Sequence, residues 1–490
     1  MPILIVTDSV SDWPSAFENV QVVDAGTYLT DPAYSNLRNS RVFNLCRSYR
    51  YQTSGYYVSL LAEARGQKPT PNITTLQDLK NQAMVRIVSE ELDELIQKCL
   101  APIKSSRFTL SIYFGRNLAK RYARLALALF NQFQSPLLRA QFQRSEKRWQ
   151  LRRVVPISSN EVPETHRPFV VRVAGEHFAG RRGSIKKRTP TRFDMAILHN
   201  PSDPEPPSNE KALQKFIKIA AEFGIDADLI TRDDYGRIAE YDALFIRDTT
   251  FVDQYTYRFS RRAAGEGLVV IDDPQSILRC TNKVYLAELL ARHKVPMPKT
   301  RVVHRENMEE VAEELGFPFV LKKPDSSFSK GVVKVSNHEE LVKRLTEYFT
   351  ESDLLVAQEF LPTTFDWRIG IIDKQPLYAC KYYMAQGHWQ IIRQDRTGSD
   401  RYGKSETLPI ELAPRRVVQA ALKAANLMGN GLYGVDVKQS DDKFYVIEVN
   451  DNPNLDAGFE DAVLKDELYR RILAVFLKRI EQLKAGRATD

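Results

Sequence analysis

Apolar positions come in short blocks along most of the chain, separated by Gly, Pro, Asn and Asp. β-Branched blocks predict strands at 3–7, 20–23 and 41–46. A helix through 56–64 follows, then one long amphipathic helix whose apolar face includes Leu76, Leu79, Val85, Val88, Leu92 and Ile96. Further on, the pattern predicts a strand at 107–114, a helix at 117–133 and strands at 137–142 and 149–157. From Phe193 the rhythm becomes regular, with strands at 195–199, 227–230, 241–246 and 267–271 and helices at 209–223 and 255–264. That alternation predicts a small parallel α/β domain. A polar-capped helix at 281–290 comes next, then strands at 319–323, 354–362, 365–372 and 377–383, and a helix at 415–428. Two aromatic and β-branched runs, 434–438 and 444–449, flank Ser440-Asp441-Asp442-Lys443 and predict a hairpin.

At 490 residues the chain is too long for one core. The polar 158–168 stretch and the basic 180–192 run read as connections, and the second makes the better boundary. The division expected is 1–190, an accessory α/β domain; 191–280, the parallel α/β domain; and 281–490, a third domain containing the hairpin. The fold class is therefore α/β.

The net charge of +8 is uneven: residues 101–192 hold 20 Lys and Arg against 4 Asp and Glu, a local +16, leaving −8 for the rest. Such a block suits an acidic substrate or nucleic acid, or forms a solvated basic face. No nucleic-acid motif accompanies it, so nucleic acid is not the expected partner. Four scattered cysteines, without a CxxC, exclude a zinc ribbon and suit a reducing compartment. The N-terminus lacks a signal-peptide pattern, and no apolar run reaches the roughly 18 residues of a membrane span. The expected location is the cytoplasm, with no membrane association.

Candidate chemistry gathers at strand ends. In the hairpin, Glu448 and Asn450 are two apart and share a face. A turn centred near Asp442 sets Asp436 opposite Glu448, giving an all-oxygen set suited to a hard cation; a hairpin with solvated acids is the alternative. Lys322 ends an apolar strand, where a buried ammonium is costly unless it meets an anion. The Ser326–Lys330 loop and Gly331 behind it could offer donors to phosphate. Arg247 lies just past a strand's carboxyl end, where open α/β sheets bind ligands, and suits a carboxylate or phosphate; a loop salt bridge is the rival. Ser54-Gly55 opens a helix either as an anion site or as a bare cap. Walker A and GxGxxG sequences are absent.

Taken in order, Asn282-Lys283, the Val320-Leu321-Lys322 strand, Gln358-Glu359-Phe360-Leu361, Asp366-x-Arg368, Val435-Asp436 and Glu448-x-Asn450 resemble the ATP-grasp ligases. The RimK-like carboxylate–amine ligases are the most similar branch, and the resemblance covers about 193–480. It implies an ATP-grasp fold, two α+β subdomains gripping ATP, preceded by the small parallel domain and the accessory domain. It further implies ATP and Mg²⁺ (or Mn²⁺) as cofactors. Lys283 and Lys322 would contact phosphates. Glu359, Phe360 and Leu361 would edge the adenine, and Asp366 would lie by the ribose. Lys381 would make a phosphate or substrate contact. Asp436, Glu448 and Asn450 would hold the metal, and Arg368 would stabilise the transferring phosphoryl group. Arg247 and Asn452 are carried as substrate contacts. The loop over the phosphates departs from the Gly-rich family pattern, and Lys323 beside Lys322 leaves a slip of one position open.

The reaction implied is amide formation through an acyl phosphate, joining an amino acid such as glutamate to a peptide, a protein C-terminus or a small carboxylate. The chain is expected to form homo-oligomers. The rivals are a dipeptide or cofactor-amide synthetase, and a nucleic-acid- or ribosome-associated ATP-binding protein.

Overall fold

The computed structural model describes residues 2–13, 17, 19–37, 40–146, 148–179, 191–325, 331–393 and 403–486. The chain divides into two compact units: residues 1–193 with 233–240, and residues 194–232 with 241–490.

In the first unit, β1 (Ile3–Thr7), β2 (Val20–Asp24), β3 (Arg41–Asn44) and β4 (Lys68–Thr70) form a parallel sheet in the order β2-β1-β3-β4. The helix Ser54–Ala64 follows β3. Its second residue is Gly55, where the Ser48 carbonyl passes only 2.4 Å from the place a Cβ would take. Thr53, its N-cap residue, makes no side-chain capping bond. β5 (Arg107–Tyr113), β6 (Leu137–Ser145) and β7 (Arg148–Pro156) make an antiparallel sheet in that order. Leu110, Ile112, Leu138, Ala140, Phe142, Trp149 and Leu151 line its inner face and pack with Val85, Val88, Ile96 and Leu129.

The single long helix predicted across 76–96 is instead three: Ile73–Asp78, Gln82–Glu91 and Asp93–Leu100. Asn81 interrupts the run, its side chain accepting from the Ala83 amide and starting a new helix. The segment Arg167–Ala179, where no element was predicted, is helical. The basic 180–192 connection lies outside the described residues up to Pro190.

Residues 233–240 belong to the first unit rather than to the 191–280 span in which the sequence placed them. Glu240 explains why: its carboxylate meets Arg41 at 3.0 Å and His177 at 3.1 Å, and the Gly236 amide donates to Asn131.

Among its described residues the second unit holds three sheets. β8 (Phe193–His199), β9 (Ile225–Ile230), β10 (Ala243–Arg247) and β11 (Val269–Ile271) take the order β11-β10-β8-β9, with β10 parallel to β8 and β11. β12 (Thr300–Val303), β13 (Phe319–Lys322), β14 (Val332–Val335) and β15 (Leu355–Glu359) form an antiparallel sheet in the order β12-β15-β13-β14. β16 (Phe365–Ile372), β17 (Gln375–Tyr383), β18 (Ser405–Leu408), β19 (Leu432–Ser440) and β20 (Lys443–Asn450) form the antiparallel order β18-β17-β16-β19-β20. The helix Arg415–Met428 packs on one face of this last sheet, over Trp367, Ile369, Val435, Val437, Val446 and Val449. No helix among the described residues is long and apolar enough to cross a membrane.

Candidate functional site

With one face of the five-stranded sheet taken by its helix, strand alternation sends Asp366, Arg368, Asp436 and Lys438 to the other. Arg368 and Asp436 are direct cross-strand partners, as are Asp436 and Glu448, and Gly434 and Asn450. The turn itself is centred between Asp441 and Asp442, half a residue from the expected centre. A bulge after Asp436 restores the predicted pairing: Val437 faces Val446 while Asp436 faces Glu448, so Ile447 is skipped. The bulge also lets Val446 and Val449 both reach the core. Gly434 leaves room for Arg368, since a Cβ there would stand 3.0 Å from Arg368 Cδ and 2.7 Å from Pro453 Cβ.

The charged groups are paired across this face. Arg368 grips Asp436 with two parallel N–H donors, through Nε to Oδ1 and through Nη2 to Oδ2 at 2.8 Å. Burial works against the Arg368 charge, but Asp436 outweighs it and holds the guanidinium well above its ordinary range. Lys438 Nζ donates to Asp366 Oδ1 at 2.8 Å and Thr363 Oγ1 at 2.7 Å. Lys283 is the first residue of the helix Lys283–Arg292, which Asn282 caps through the Val284 and Tyr285 amides. Its Nζ lies 3.0 Å from Glu448 Oε1. Burial tends to raise the Glu448 carboxyl, yet Lys283 and Lys322 overcome that and hold it below the ordinary value.

Lys322 ends β13, is 8% exposed and donates to Gln358 Oε1 at 2.7 Å. Burial, aided by Lys283 and Lys438 and opposed by Glu448, pulls its ammonium down to about 8. Lys283, Lys322 and Gln358 line one cleft with Leu286, Met297 and Ile447. Lys323 points elsewhere, pairing with Glu351 at 2.8 Å over the Tyr348 ring, so the cleft lysine is Lys322. Glu359 closes β15, its carboxylate accepting from the Lys299 amide at 3.2 Å. Phe360 and Leu361 follow, with the Phe360 ring edge-on to Trp389 and beneath Lys334 Nζ. The Ser326–Lys330 loop lies outside the described residues.

Two expected contacts have other settings. Lys381 is the cross-strand partner of Trp367, on the face opposite Arg368. It lies over the Phe365 and Trp367 rings and 3.7 Å from Glu406, away from the paired charges. Arg247 is fully buried, and no salt bridge joins it to a loop acid among the described residues. It donates to Ser208 Oγ at 2.9 Å, Asn452 Oδ1 and the Pro207 carbonyl at 2.5 Å, and the Pro453 carbonyl at 2.7 Å. Arg247 and Asn452 thus hold each other, and Asn452 Nδ2 donates back to the Asp248 carbonyl at 2.7 Å. Burial brings the Arg247 guanidinium down to about 10, still charged at neutral pH.

Lys438 belongs to the same constellation and was not among the expected site residues. It stands two residues after Asp436, so the period of two on β19 carried the signal.

Whether a hard cation suits this face is a question of donor chemistry. Two carboxylates and an amide, Asp436, Glu448 and Asn450, occupy adjacent register positions on one rigid hairpin, which fits Mg²⁺ or Mn²⁺. The cations Arg368 and Lys283 now neutralise those carboxylates.

Comparison with known proteins gives two family matches. Residues 25–173 match the model described as RimK-like ATPgrasp N-terminal domain, and residues 280–473 the RimK-like ATP-grasp domain. The alpha-aminoadipate–LysW ligase LysX of Saccharolobus solfataricus is 31% identical over 195 residues, 38% of this chain and 67% of that protein. A probable alpha-L-glutamate ligase of Vibrio vulnificus is 26% identical over 233 residues, covering 47% and 74%. Among solved structures, D-alanine–D-alanine ligase from Bacillus anthracis aligns with a TM-score of 0.46 and 18% identity, over 61% of this chain and 99% of that one.

Proposed function

Because the chain belongs to the RimK-like ATP-grasp ligases, enzymes that form carbon–nitrogen bonds with ATP, we propose that it joins the amine of an amino acid to an acceptor carboxylate. Glutamate is the amino acid we favour, and a peptide, a protein C-terminus or a small acid the acceptor. The relatives' names support this choice, since alpha-aminoadipate and L-glutamate are both acidic amino acids.

The observation that carries the reading is the single sheet face presenting Asp366, Arg368, Asp436, Lys438, Glu448 and Asn450, with Lys283 bonded to Glu448. Lys283 and Lys322 would bind phosphate oxygens, exchanging Glu448 and Gln358 for a ligand of higher charge. Glu359, Phe360 and Leu361, leaving β15, would edge the adenine, and Asp366 would accept from the ribose. Asp436, Glu448 and Asn450 would hold the divalent cation, which neutralises phosphate charge when bound. Arg368, freed from Asp436, would stabilise the phosphoryl group passing to the carboxylate. The amine then attacks the acyl carbon, expelling phosphate, and its excess proton leaves to solvent. No protein nucleophile is required, because positioning and electrostatics carry phosphoryl transfer.

The test is ADP release across pairs of amino acids and carboxylates or peptides, with product masses read afterwards. Release that requires both partners, and a product heavier by one amino acid less water, is expected. ADP release indifferent to both partners, alongside nucleic-acid binding with a steep salt dependence, would overturn the reading.

A further inference from the structure

Arg368 has a second neighbour on the site face, one that the ligase chemistry leaves unused. Tyr382 stands on β17 opposite Asp366, as Cys380 stands opposite Arg368, so strand alternation puts Tyr382 on the face of the guanidinium. Arg368 Cζ lies 5.3 Å from the centroid of the Tyr382 ring, within reach of a cation–π contact. The ring is anchored in turn. Its hydroxyl donates to Glu460 Oε1 at 2.6 Å, and the Asp456 amide donates to Glu460 Oε2 at 2.7 Å. Glu460 is only 3% exposed, so both of its oxygens are bonded where water is scarce.

We propose that Tyr382 is a positioning residue, holding Arg368 over the site while Asp436 changes partner. The inference rests on the ligase reading, in which Asp436 turns to the divalent cation and Arg368 to the phosphoryl group. A guanidinium released from its carboxylate can swing away on its flexible stem, or fall back on Asp436 and compete there. While the pair with Asp436 is intact, its charge is already neutralised and the ring adds little. Once Asp436 is withdrawn, the ring still faces the guanidinium, and a desolvated contact of this kind is at its strongest. Tyr382 therefore favours the released state over the paired one, the differential interaction that a change of partner requires. Glu460 fixes the hydroxyl end, so the ring keeps its face toward Arg368.

The experiment is calorimetric titration of the full chain with the Mn²⁺–ADP complex. Tyr382→Leu removes the ring and should weaken binding about tenfold. Tyr382→Phe keeps the ring, gives up the Glu460 bond and should stay within about threefold of the parent. In an Arg368→Ala background Tyr382→Leu should have no further effect, since the ring acts through the guanidinium. An equal loss in that background would make Tyr382 a packing residue and overturn the proposal. So would parental binding by Tyr382→Leu, or a Tyr382→Phe variant as weak as Tyr382→Leu. Each of these leaves the ligase reading standing, whereas a parent chain that takes up no Mn²⁺–ADP overturns that reading and this role together.

Discussion

Two sets of cations, one in each unit, are treated in opposite ways. In the second, each lysine or arginine of the sheet-face site is already matched: Lys283 with Glu448, Arg368 with Asp436, Lys438 with Asp366, and Lys322 with Gln358. In the first, Lys80 and Arg153 are exposed, beside a pocket with no acid among its described lining residues. Buried charge must be neutralised within the fold, so a site built there is held by internal pairs that a ligand has to replace. Exposed charge is solvated and needs no internal partner. The difference predicts how strongly each set of residues resists change.

The largest effect is expected where pairs must be exchanged. Lys322→Ala and Glu448→Ala should each lower ADP formation by about 10³ or more, since each removes a preorganised charge from the proposed phosphoryl-transfer site. Circular dichroism should show the fold retained. Turnover by both variants at the parental rate would dismiss the site and, with it, the contrast between the units.

Arg247→Ala tests a buried cation whose acceptors among the described residues are neutral. Truncation leaves the Pro207 and Pro453 carbonyls, Ser208 Oγ and Asn452 Oδ1 without their donor. The expected cost is about 3 kcal/mol of unfolding free energy, measured by denaturant titration. An unchanged stability with a raised KM for the acceptor would return Arg247 to the role of substrate contact that its strand-end position suggested.

The readable part of the molecule was the part governed by short-range rules. Glu448-x-Asn450 and Asp366-x-Arg368 are spaced by two, so their shared faces followed from strand alternation. Lys438 obeyed the same rule. The pairing of Asp436 with Glu448 came out as expected through a bulge that no residue type announced. The setting of Lys381 beside Trp367 was not legible, because a residue's neighbour on the adjacent strand depends on cross-strand register. The breaks at Asn81 and Leu92 were hidden because three short helices keep one apolar face, and that face alone looks continuous. The pocket beside Lys80 and Arg153 was unreadable for a plainer reason: Tyr49, Leu76, Val85 and Val154 meet only after folding.

A smaller effect should follow pH. Lys322 is pulled down to about 8 from the ordinary lysine range, chiefly by burial. As pH rises from about 7 to about 9 the ammonium is lost and nucleotide affinity should fall about tenfold. The stability sign is opposite. A base with a lowered folded value binds fewer protons folded than unfolded between about 8 and its ordinary value, so this group's contribution rises with pH in that window. Nucleotide titrations near pH 8.5, in buffers of different ionisation enthalpy, should show proton uptake that Lys322→Arg abolishes. Equal heats in all buffers would mean that Lys322 does not titrate there.

The smallest change is expected at the rim of that pocket. Lys80→Ala and Arg153→Ala each remove a charge as large as that of Arg247, but both side chains are exposed and no acid of the lining depends on them. Water already solvates them, so truncation strands no buried acceptor and should shift unfolding free energy by no more than about 0.5 kcal/mol. ADP formation at saturating substrates should match the parent, because the groups proposed to bind nucleotide lie in the other unit. Paired denaturant titrations of Arg247→Ala and Arg153→Ala make the comparison direct, as the residue type is the same and only its burial differs. A loss at Arg153 equal to that at Arg247 would show that this exposed arginine, like the paired Arg41 of the same unit, is spent on holding the fold together.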